Sequence, residues 1–205
     1  MYQQFLRKFV LNSEDNEVQI DFHQENINDP SMASFLQRFG GMSFNGGLYR
    51  TIPLGAVKRW EALVVDAFPP FNKFISCFAY DWLGRIFALD SRRNEEKGGV
   101  VIMFEPGTGK SLQIPCNLAD FHNHELVEHC NEALAANFYA EWLAAGGQPP
   151  KMDQCIGYKI PLFLNGKDIV SNLEIQNLEV YWTVNAQLIR KAKELPRGTA
   201  LKITG

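Results

Sequence analysis

Polar and apolar residues follow a helical period in one clear stretch of the chain. In residues 57–68, apolar side chains recur every three or four positions, which predicts an amphipathic helix with one buried stripe. Trp60 lies on that stripe, so we expect its side chain to be mostly buried. Pro69 and Pro70 follow, and proline disfavours helical geometry in the residue before it, so the helix is expected to end there.

Strand character dominates the next part of the sequence. Short apolar segments separated by brief links are predicted to be strands over residues 74–79, 85–89, 100–104 and 111–114. Phe87 and Phe104 are expected in the core. Parallel neighbours need long crossover connections, so strands joined by such short links are expected to pair antiparallel.

The remaining elements are also predicted from periodicity and turn signals. Ser31 is expected to cap a helix, and Asn165-Gly166 is a hairpin-type turn signal. Further helices are predicted over residues 31–39, 126–134, 137–143 and 180–192, and further extended segments over 48–52, 155–164, 173–175 and 201–203. Because helices and strands lie in blocks, the predicted fold class is α+β: an antiparallel sheet with helices packed on it, followed by a smaller, mostly helical or mixed C-terminal part.

The bulk composition is that of an ordinary globular protein. The chain has 205 residues, of which 46% are hydrophobic and 21% are charged. A chain of this length can bury a core without disulfides or structural metals. Its formal net charge of −3 argues against direct binding of nucleic acid, because that function usually requires a basic surface.

Signals for export or membrane insertion are missing from the sequence pattern. The N-terminal residues contain no long apolar run, and no window approaches the apolar length of a membrane span. The four cysteines, Cys77, Cys116, Cys130 and Cys155, are scattered without a close pair. We therefore expect reduced thiols, a cytoplasmic location and no membrane partner.

A Gly-Lys-Ser sequence within residues 107–111 invites comparison with a phosphate-binding loop. That motif needs a glycine where this chain has Phe104, and its lysine must open a helix whose N-terminus favours anions. Here the residues after Ser111 have strand character and meet Pro115. We therefore predict a hairpin turn and no nucleotide cofactor.

Histidines and cysteines near residues 116–130 raise the question of a metal site. Structural zinc sites usually contain closely paired ligands such as Cys-x-x-Cys, and none occurs here. His122 and His124 are two residues apart, so on a helix they would face different directions. We predict a loop in which Asn123 caps the next helix, and we expect no bound metal.

Asp81, in the short connection 81–85, is a candidate catalytic carboxylate. No paired base for it is evident in the sequence. The simpler interpretation is that Asp81 hydrogen-bonds the turn backbone while Trp82 covers the core. We therefore expect a protein that is not an enzyme, although a hydrolase using Asp81 or the histidines is an open alternative.

An acidic stretch near the N-terminus is a candidate binding surface. Such runs are often only solvated, but carboxylates can also complement a basic partner and speed association. A DNA-cutting toxin must carry lysine and arginine to hold phosphates. The candidate partner-binding residues are Glu14, Asp15, Glu17, Asp21 and Glu25.

Several longer strings resemble a known family. They are FGGMSFNGGLYR at residues 39–50, DWLGRIFALD at 81–90, MFEPGTG at 103–109 and CIGYKIPLFL at 155–164. Together they resemble bacterial type VI secretion immunity proteins that pair a GAD-like N-terminal domain with a small C-terminal domain. The resemblance implies a GAD-like α+β domain over residues 1–110 and an immunity-type domain, closely packed on it, over residues 111–205.

The resemblance also implies a function. Such proteins are cytoplasmic antitoxins that bind a cognate secreted effector, commonly a DNase, and block it. The resemblance brings no catalytic residue, because the shared strings are rich in glycine, proline and aromatic residues that set turns and core. A hydrolase and a scaffold that binds some other protein are the alternative functions.

Overall fold

The computed structural model describes residues 1–12, 27, 29–93 and 99–194. The candidate carboxylates at positions 14, 15, 17, 21 and 25 and the predicted strand 201–203 lie outside these residues. Within them, strands and helices lie in blocks, and the fold is α+β as predicted. In the part of the chain that the structure describes, no helix is both long and apolar enough to cross a membrane.

The centre of the fold is a six-stranded antiparallel sheet. Its strands follow one another in chain order, so each neighbour in the sheet is also the neighbour in sequence. The strands are β1 (Ser43–Phe44), β2 (Tyr49–Thr51), β3 (Ile75–Asp81), β4 (Ile86–Asp90), β5 (Val100–Glu105) and β6 (Lys110–Ile114). Phe87 and Phe104 are fully buried, which confirms both the antiparallel pairing and the two predicted core positions.

Helices from the first half pack against this sheet. They are α1 (Gln3–Lys8), α2 (Pro30–Phe39) and α3 (Val57–Ala67). The structure confirms α3 to within one residue of the predicted range. Trp60 on α3 is partly buried, and its ring stacks on Tyr80 with a centroid separation of 5.2 Å.

The N-terminal cap of α2 differs from the prediction. Ser31 is not the cap, because the helix already begins at Pro30. The side chain of Asp29 accepts a hydrogen bond from the Met32 amide at 2.8 Å, and Ser31 Oγ donates to the same carboxylate. Proline fits the first helical position because its missing N–H would be unpaired there anyway, so the cap belongs to the residue before it.

A helical segment follows the sheet and begins earlier than predicted. It comprises α4 (Leu118–Asp120), a π-helical turn (Phe121–Glu125), α5 (Leu126–Glu128), α6 (Cys130–Leu134) and α7 (Ala136–Ala144). The prediction that Asn123 caps a helix from a loop is wrong, because Asn123 lies inside the π-helical turn. Asn117 is the cap instead, and its side chain accepts a hydrogen bond from the Asp120 amide at 2.9 Å.

The last described residues form a two-stranded sheet and a long helix. These are β7 (Gln154–Tyr158), β8 (Leu173–Asn177) and α8 (Leu178–Glu194). The predicted extended segment 155–164 is wrong beyond Tyr158, because Leu162–Leu164 forms a 3-10 turn. The hairpin-type turn is also wrong, since Asn165 lies within a longer connection between the two strands, although it does adopt the left-handed conformation.

The two halves of the chain share one hydrophobic core. The indole N–H of Trp82 in the first half donates to the Leu134 carbonyl at 2.8 Å, and the indole N–H of Trp182 in the second half donates to the Gly84 carbonyl at 2.7 Å. Both rings are fully buried. The division into domains at residues 110 and 111 stays a prediction, and β6, which directly follows that boundary, pairs with β5.

Candidate functional site

The connection between β3 and β4 is organised by Asp81. Its Oδ1 accepts hydrogen bonds from the amides of Leu83 and Arg85 at 3.0 Å, and its Oδ2 accepts one from Arg85 Nε at 2.6 Å. Gly84 has a φ of 74°, and a Cβ there would meet Cys155 Sγ at 3.1 Å. The prediction that Asp81 holds the turn while Trp82 occupies the core is confirmed, and Asp81 is fully buried.

Arg85 is one of the residues that line a cleft between the two halves of the chain. Its side chain is buried, with 6% of the residue exposed, and its Nη2 donates to the Ala133 carbonyl at 3.1 Å. Nη1 has no hydrogen-bond partner among the described residues. The Asp81 carboxylate balances the charge of the Arg85 guanidinium, so the pair has no net charge.

Three carboxylates line this cleft, which we call the acidic cleft. Glu105 lies at the end of β5, Glu141 on α7, and Asp168 in the connection between β7 and β8. The cleft has a volume of about 510 Å³. None of the three has a lysine or arginine partner in residues 1–12, 27, 29–93 and 99–194.

Neutral groups hold the carboxylates in place without cancelling their charge. Tyr158 Oη donates to Asp168 Oδ1 at 2.7 Å, and Thr108 Oγ1 donates to Glu105 Oε2 at 2.7 Å. Burial and the Asp168 carboxylate both raise the pKa of Tyr158, so its hydroxyl keeps its proton and stays a donor. The second oxygen of each of these two carboxylates has no hydrogen-bond partner among the described residues.

The remaining wall of the cleft comes from the helical segment. Asn131 Oδ1 accepts a hydrogen bond from the Asn137 amide at 3.0 Å, which fixes the start of α7. Phe138 and Leu83 supply apolar surface.

The same helical segment is strongly acidic, which the sequence interpretation above overlooked. Residues 111–150 contain five carboxylates and no lysine or arginine. Most of these carboxylates are exposed; they are Asp120, Glu125, Glu128, Glu132 and Glu141. A count of charges in sequence windows would have found this surface, because it depends only on composition.

The phosphate-loop alternative disagrees with the geometry. Lys110 begins strand β6 and does not open a helix. The carbonyl of Gly107 accepts a hydrogen bond from the Leu162 amide at 2.8 Å, and the Gly109 amide donates to Glu105 O at 3.0 Å. The prediction of a hairpin turn between β5 and β6 is therefore confirmed.

The histidines, for which the sequence predicts no bound metal, lie in different environments in the fold. His122 is fully buried, whereas His124 and His129 are exposed. Cys116 and Cys130 are partly buried and free. Over the described ranges, no group of three or more histidine, cysteine or acidic side chains is placed to hold a metal ion.

His122 is a neutral imidazole in an aromatic cage. Its Nδ1 lies 2.7 Å from the Leu118 carbonyl, which can only accept, so Nδ1 carries the proton. Nε2 therefore accepts from the hydroxyl of Tyr49 at 2.8 Å. Burial lowers the pKa of His122 to about 3. Ring centroids lie 4.3–5.8 Å from that of His122 for Tyr2, Phe5, Phe35, Tyr49, Phe78 and Phe121.

A second concave surface lies between α3 and the start of α8. Trp60, Leu63 and Leu178 line this apolar groove, which has a volume of about 250 Å³. Arg59 and Glu179 on its rim pair with each other. The groove thus carries less unpaired charge than the acidic cleft.

The fold is α+β, and its cleft and neighbouring helical segment are acidic. Residues 116–189 match the family model described as T6SS immunity protein Tdi1, C-terminal. That segment contains most of the acidic helical surface and two of the three cleft carboxylates, Glu141 and Asp168. The match supports an immunity role in type VI secretion.

Other comparisons bear on the fold. The crystal structure of Atu4351 from Agrobacterium tumefaciens is similar, with a TM-score of 0.61 and 14% sequence identity. The similarity covers 91% of this chain and 89% of that one. At this identity the likeness shows a shared fold. No curated protein matches the chain.

Proposed function

We propose that this protein is an immunity protein that binds a cognate type VI effector and neutralises it without catalysis. The observation that carries the proposal is the match of residues 116–189 to the Tdi1 C-terminal family model. Inhibition by binding needs exposed side chains that complement a partner, and the matched segment presents unpaired carboxylates. The hydrolase alternative loses its main support, because Asp81 is buried against Arg85 and His122 is buried among aromatic rings.

A more specific part of the proposal names the effector and the compartment: the effector is a DNase, and the complex forms in the cytoplasm. A protein that cuts DNA needs a basic groove to hold phosphates. A surface with five carboxylates and no cation in forty consecutive positions, residues 111–150, is complementary to such a groove. We further propose that residues 1–110 form the GAD-like domain and residues 111–205 the immunity-type domain.

Toxicity rescue tests the function directly. The product of the adjacent gene is expressed in a bacterial host with and without this protein, and the two purified proteins are mixed in a pull-down. We expect protection of growth, intact chromosomal DNA and a stable complex. A folded protein that neither binds this product nor protects the host would contradict the proposal.

The N-terminal carboxylates can be tested separately. We propose that Glu14, Asp15, Glu17, Asp21 and Glu25 contribute to the effector interface. Reversal of the first four to lysine should slow association with the effector at low salt, and the difference should shrink at high salt because exposed charges are screened. An unchanged association rate at both salt concentrations, with the fold intact, would place the interface elsewhere.

A further inference from the structure

The two edges of the six-stranded sheet differ in what lies beside them. Along β1, the Asn12 amide donates to the Ser43 carbonyl and the Asn45 amide donates to the Val10 carbonyl, both at 2.9 Å. At the other edge, no strand pairs with the outer side of β6 in the part of the chain that the structure describes. An edge strand directs the N–H and C=O groups of alternate residues away from the sheet, so β6 offers a template for one more strand.

The β6 strand lacks the features that usually prevent pairing at an edge, which are bulges, prolines and charges within the strand. It keeps an unbroken register with β5 over its whole length. Its one charged residue, Lys110, is the first of the strand, and Pro115 lies just beyond its end. The central residue is Leu112, which is 58% exposed. An exposed leucine in the middle of such an edge indicates a pairing surface.

Leu112 also ends an apolar row that crosses the sheet. Phe87 lies directly opposite Met103, and Met103 lies directly opposite Leu112. Directly opposite residues share one face of the sheet, so these three side chains are neighbours. Their exposed fractions are 0%, 6% and 58%, rising towards the edge. A further strand with an apolar residue at this position would continue the row and bury Leu112.

We propose that β6 pairs antiparallel with β6 of a second copy of this chain, with Leu112 on the two-fold axis. The turn after β5 and the proline after Ile114 bound the strand, so pairing over its full length sets the central residue opposite itself. A two-fold contact uses the same surface on both copies. Lys110 then lies opposite Ile114 of the other copy. Ser111 lies opposite Gln113, and the two sheets become one. This inference goes beyond the immunity function and does not depend on it.

Charge favours a second copy and the antiparallel direction. Lys110 is paired with no carboxylate among the described residues. The chain after β6 continues into the acidic helical segment, since residues 111–150 contain five carboxylates and no lysine or arginine. Antiparallel pairing brings Lys110 of each copy to the strand end where the acidic segment of the other begins. Parallel pairing would set the two lysines side by side, and neighbouring like charges are destabilising.

Sedimentation velocity at protein concentrations of about 1–300 μM tests the pairing, because an interface of this small size corresponds to micromolar affinity. We expect the wild type to shift from monomer to dimer as its concentration rises. Leu112→Lys sets two like charges directly opposite each other and should weaken dimerisation by about tenfold or more. Val180→Lys on α8 is the matched control, since Val180 is also 58% exposed, and it should dimerise like the wild type. Circular dichroism and thermal melting verify that both variants are folded.

A cysteine scan of β6 tests the register. On the two-fold axis, the Cα atoms of the two copies of residue 112 are about 4.5–5.5 Å apart, which is within reach of a disulfide. Leu112→Cys should therefore form a covalent dimer when oxidised glutathione is added as the oxidant. Gln113→Cys is the neighbouring control, because its two copies are about 8–9 Å apart and outside disulfide geometry. The wild type, with its four free cysteines, gives the background.

The outcomes decide the pairing independently of protection against the effector. A wild-type protein that stays monomeric at every concentration overturns the proposal. A dimer that Leu112→Lys leaves unchanged, or that Val180→Lys weakens equally, uses another surface and overturns it too. A covalent dimer at residue 113 and not at residue 112 contradicts the register. If the wild type is monomeric and Leu112→Lys loses affinity for the effector, the edge receives a strand of the effector instead of a second copy.

Discussion

Acidification should destabilise the protein through one buried imidazole. His122 is neutral in the folded chain, with Nδ1 donating to Leu118 and Nε2 accepting from Tyr49. Burial lowers its pKa from 6.5 to about 3, whereas the unfolded chain exposes it to water at its ordinary pKa. The unfolded state therefore binds a proton first as the pH falls. Stability from this group is complete above pH 6.5 and is lost progressively towards pH 3.

The magnitude follows from the two pKa values. At pH 5, protonation of an imidazole with an ordinary pKa stabilises the unfolded chain by about 2 kcal/mol, while the folded chain gains almost nothing. At pH 7.5 neither state gains appreciably. Carboxylates with ordinary pKa values near 4 titrate mostly below this window. For a chain of this size, a loss of about 2 kcal/mol corresponds to a fall in Tm of roughly 4–8 °C.

Urea denaturation at pH 7.5 and pH 5 measures the effect. His122→Gln removes the titrating group and should reduce the pH-dependent loss by about 2 kcal/mol, although the variant is less stable at both pH values. His124→Gln, at an exposed position two residues away, is the matched control and should keep the full loss. Equal losses in the wild type and the His122→Gln variant would refute the assignment of a neutral, buried imidazole.

Three further predictions follow from other parts of the structure. Lys110→Ala should leave protection intact and change stability by less than about 0.5 kcal/mol, because Lys110 is an exposed residue at the start of β6; a nucleotide affinity abolished by this change would instead support a phosphate site. Purified protein should contain no stoichiometric zinc by elemental analysis, and about one zinc per chain would overturn that expectation. Asp81→Asn should cost roughly 3–5 kcal/mol in urea denaturation because it leaves the buried Arg85 charge uncompensated. Asp66→Asn, at the exposed pair with Arg190, should cost less than about 1 kcal/mol, and similar losses at both sites would contradict the role of burial.

The central sheet was predictable because its signals are local. Short links between strand segments allow only antiparallel neighbours, and the strands do follow one another in sheet order. The helical segment after the sheet was harder, because its start depends on Asn117, an isolated cap before a single turn of helix. A π-helical turn then continues the helix through Asn123, and no periodicity of apolar residues signals that change.

The acidic cleft was not predictable from the sequence. Its charged residues, Arg85, Glu105, Glu141 and Asp168, come from four separate elements and meet only through tertiary packing. Asp81 was correctly assigned to the turn, but its pairing with Arg85 was not predicted. The charge imbalance of residues 111–150 was visible in the sequence, and it would have directed attention to the helical segment as well as to the N-terminus.

The two tryptophan hydrogen bonds between the halves limit how such a protein can diversify by recombination. Trp82 donates to Leu134 and Trp182 donates to Gly84, each across the middle of the chain. In a hybrid gene that joined the first half of one relative to the second half of another, each indole N–H and its acceptor carbonyl would come from different proteins. Each buried donor left unpaired costs about 1–3 kcal/mol. New partner specificity should therefore evolve by substitution at exposed positions, with the two halves inherited together.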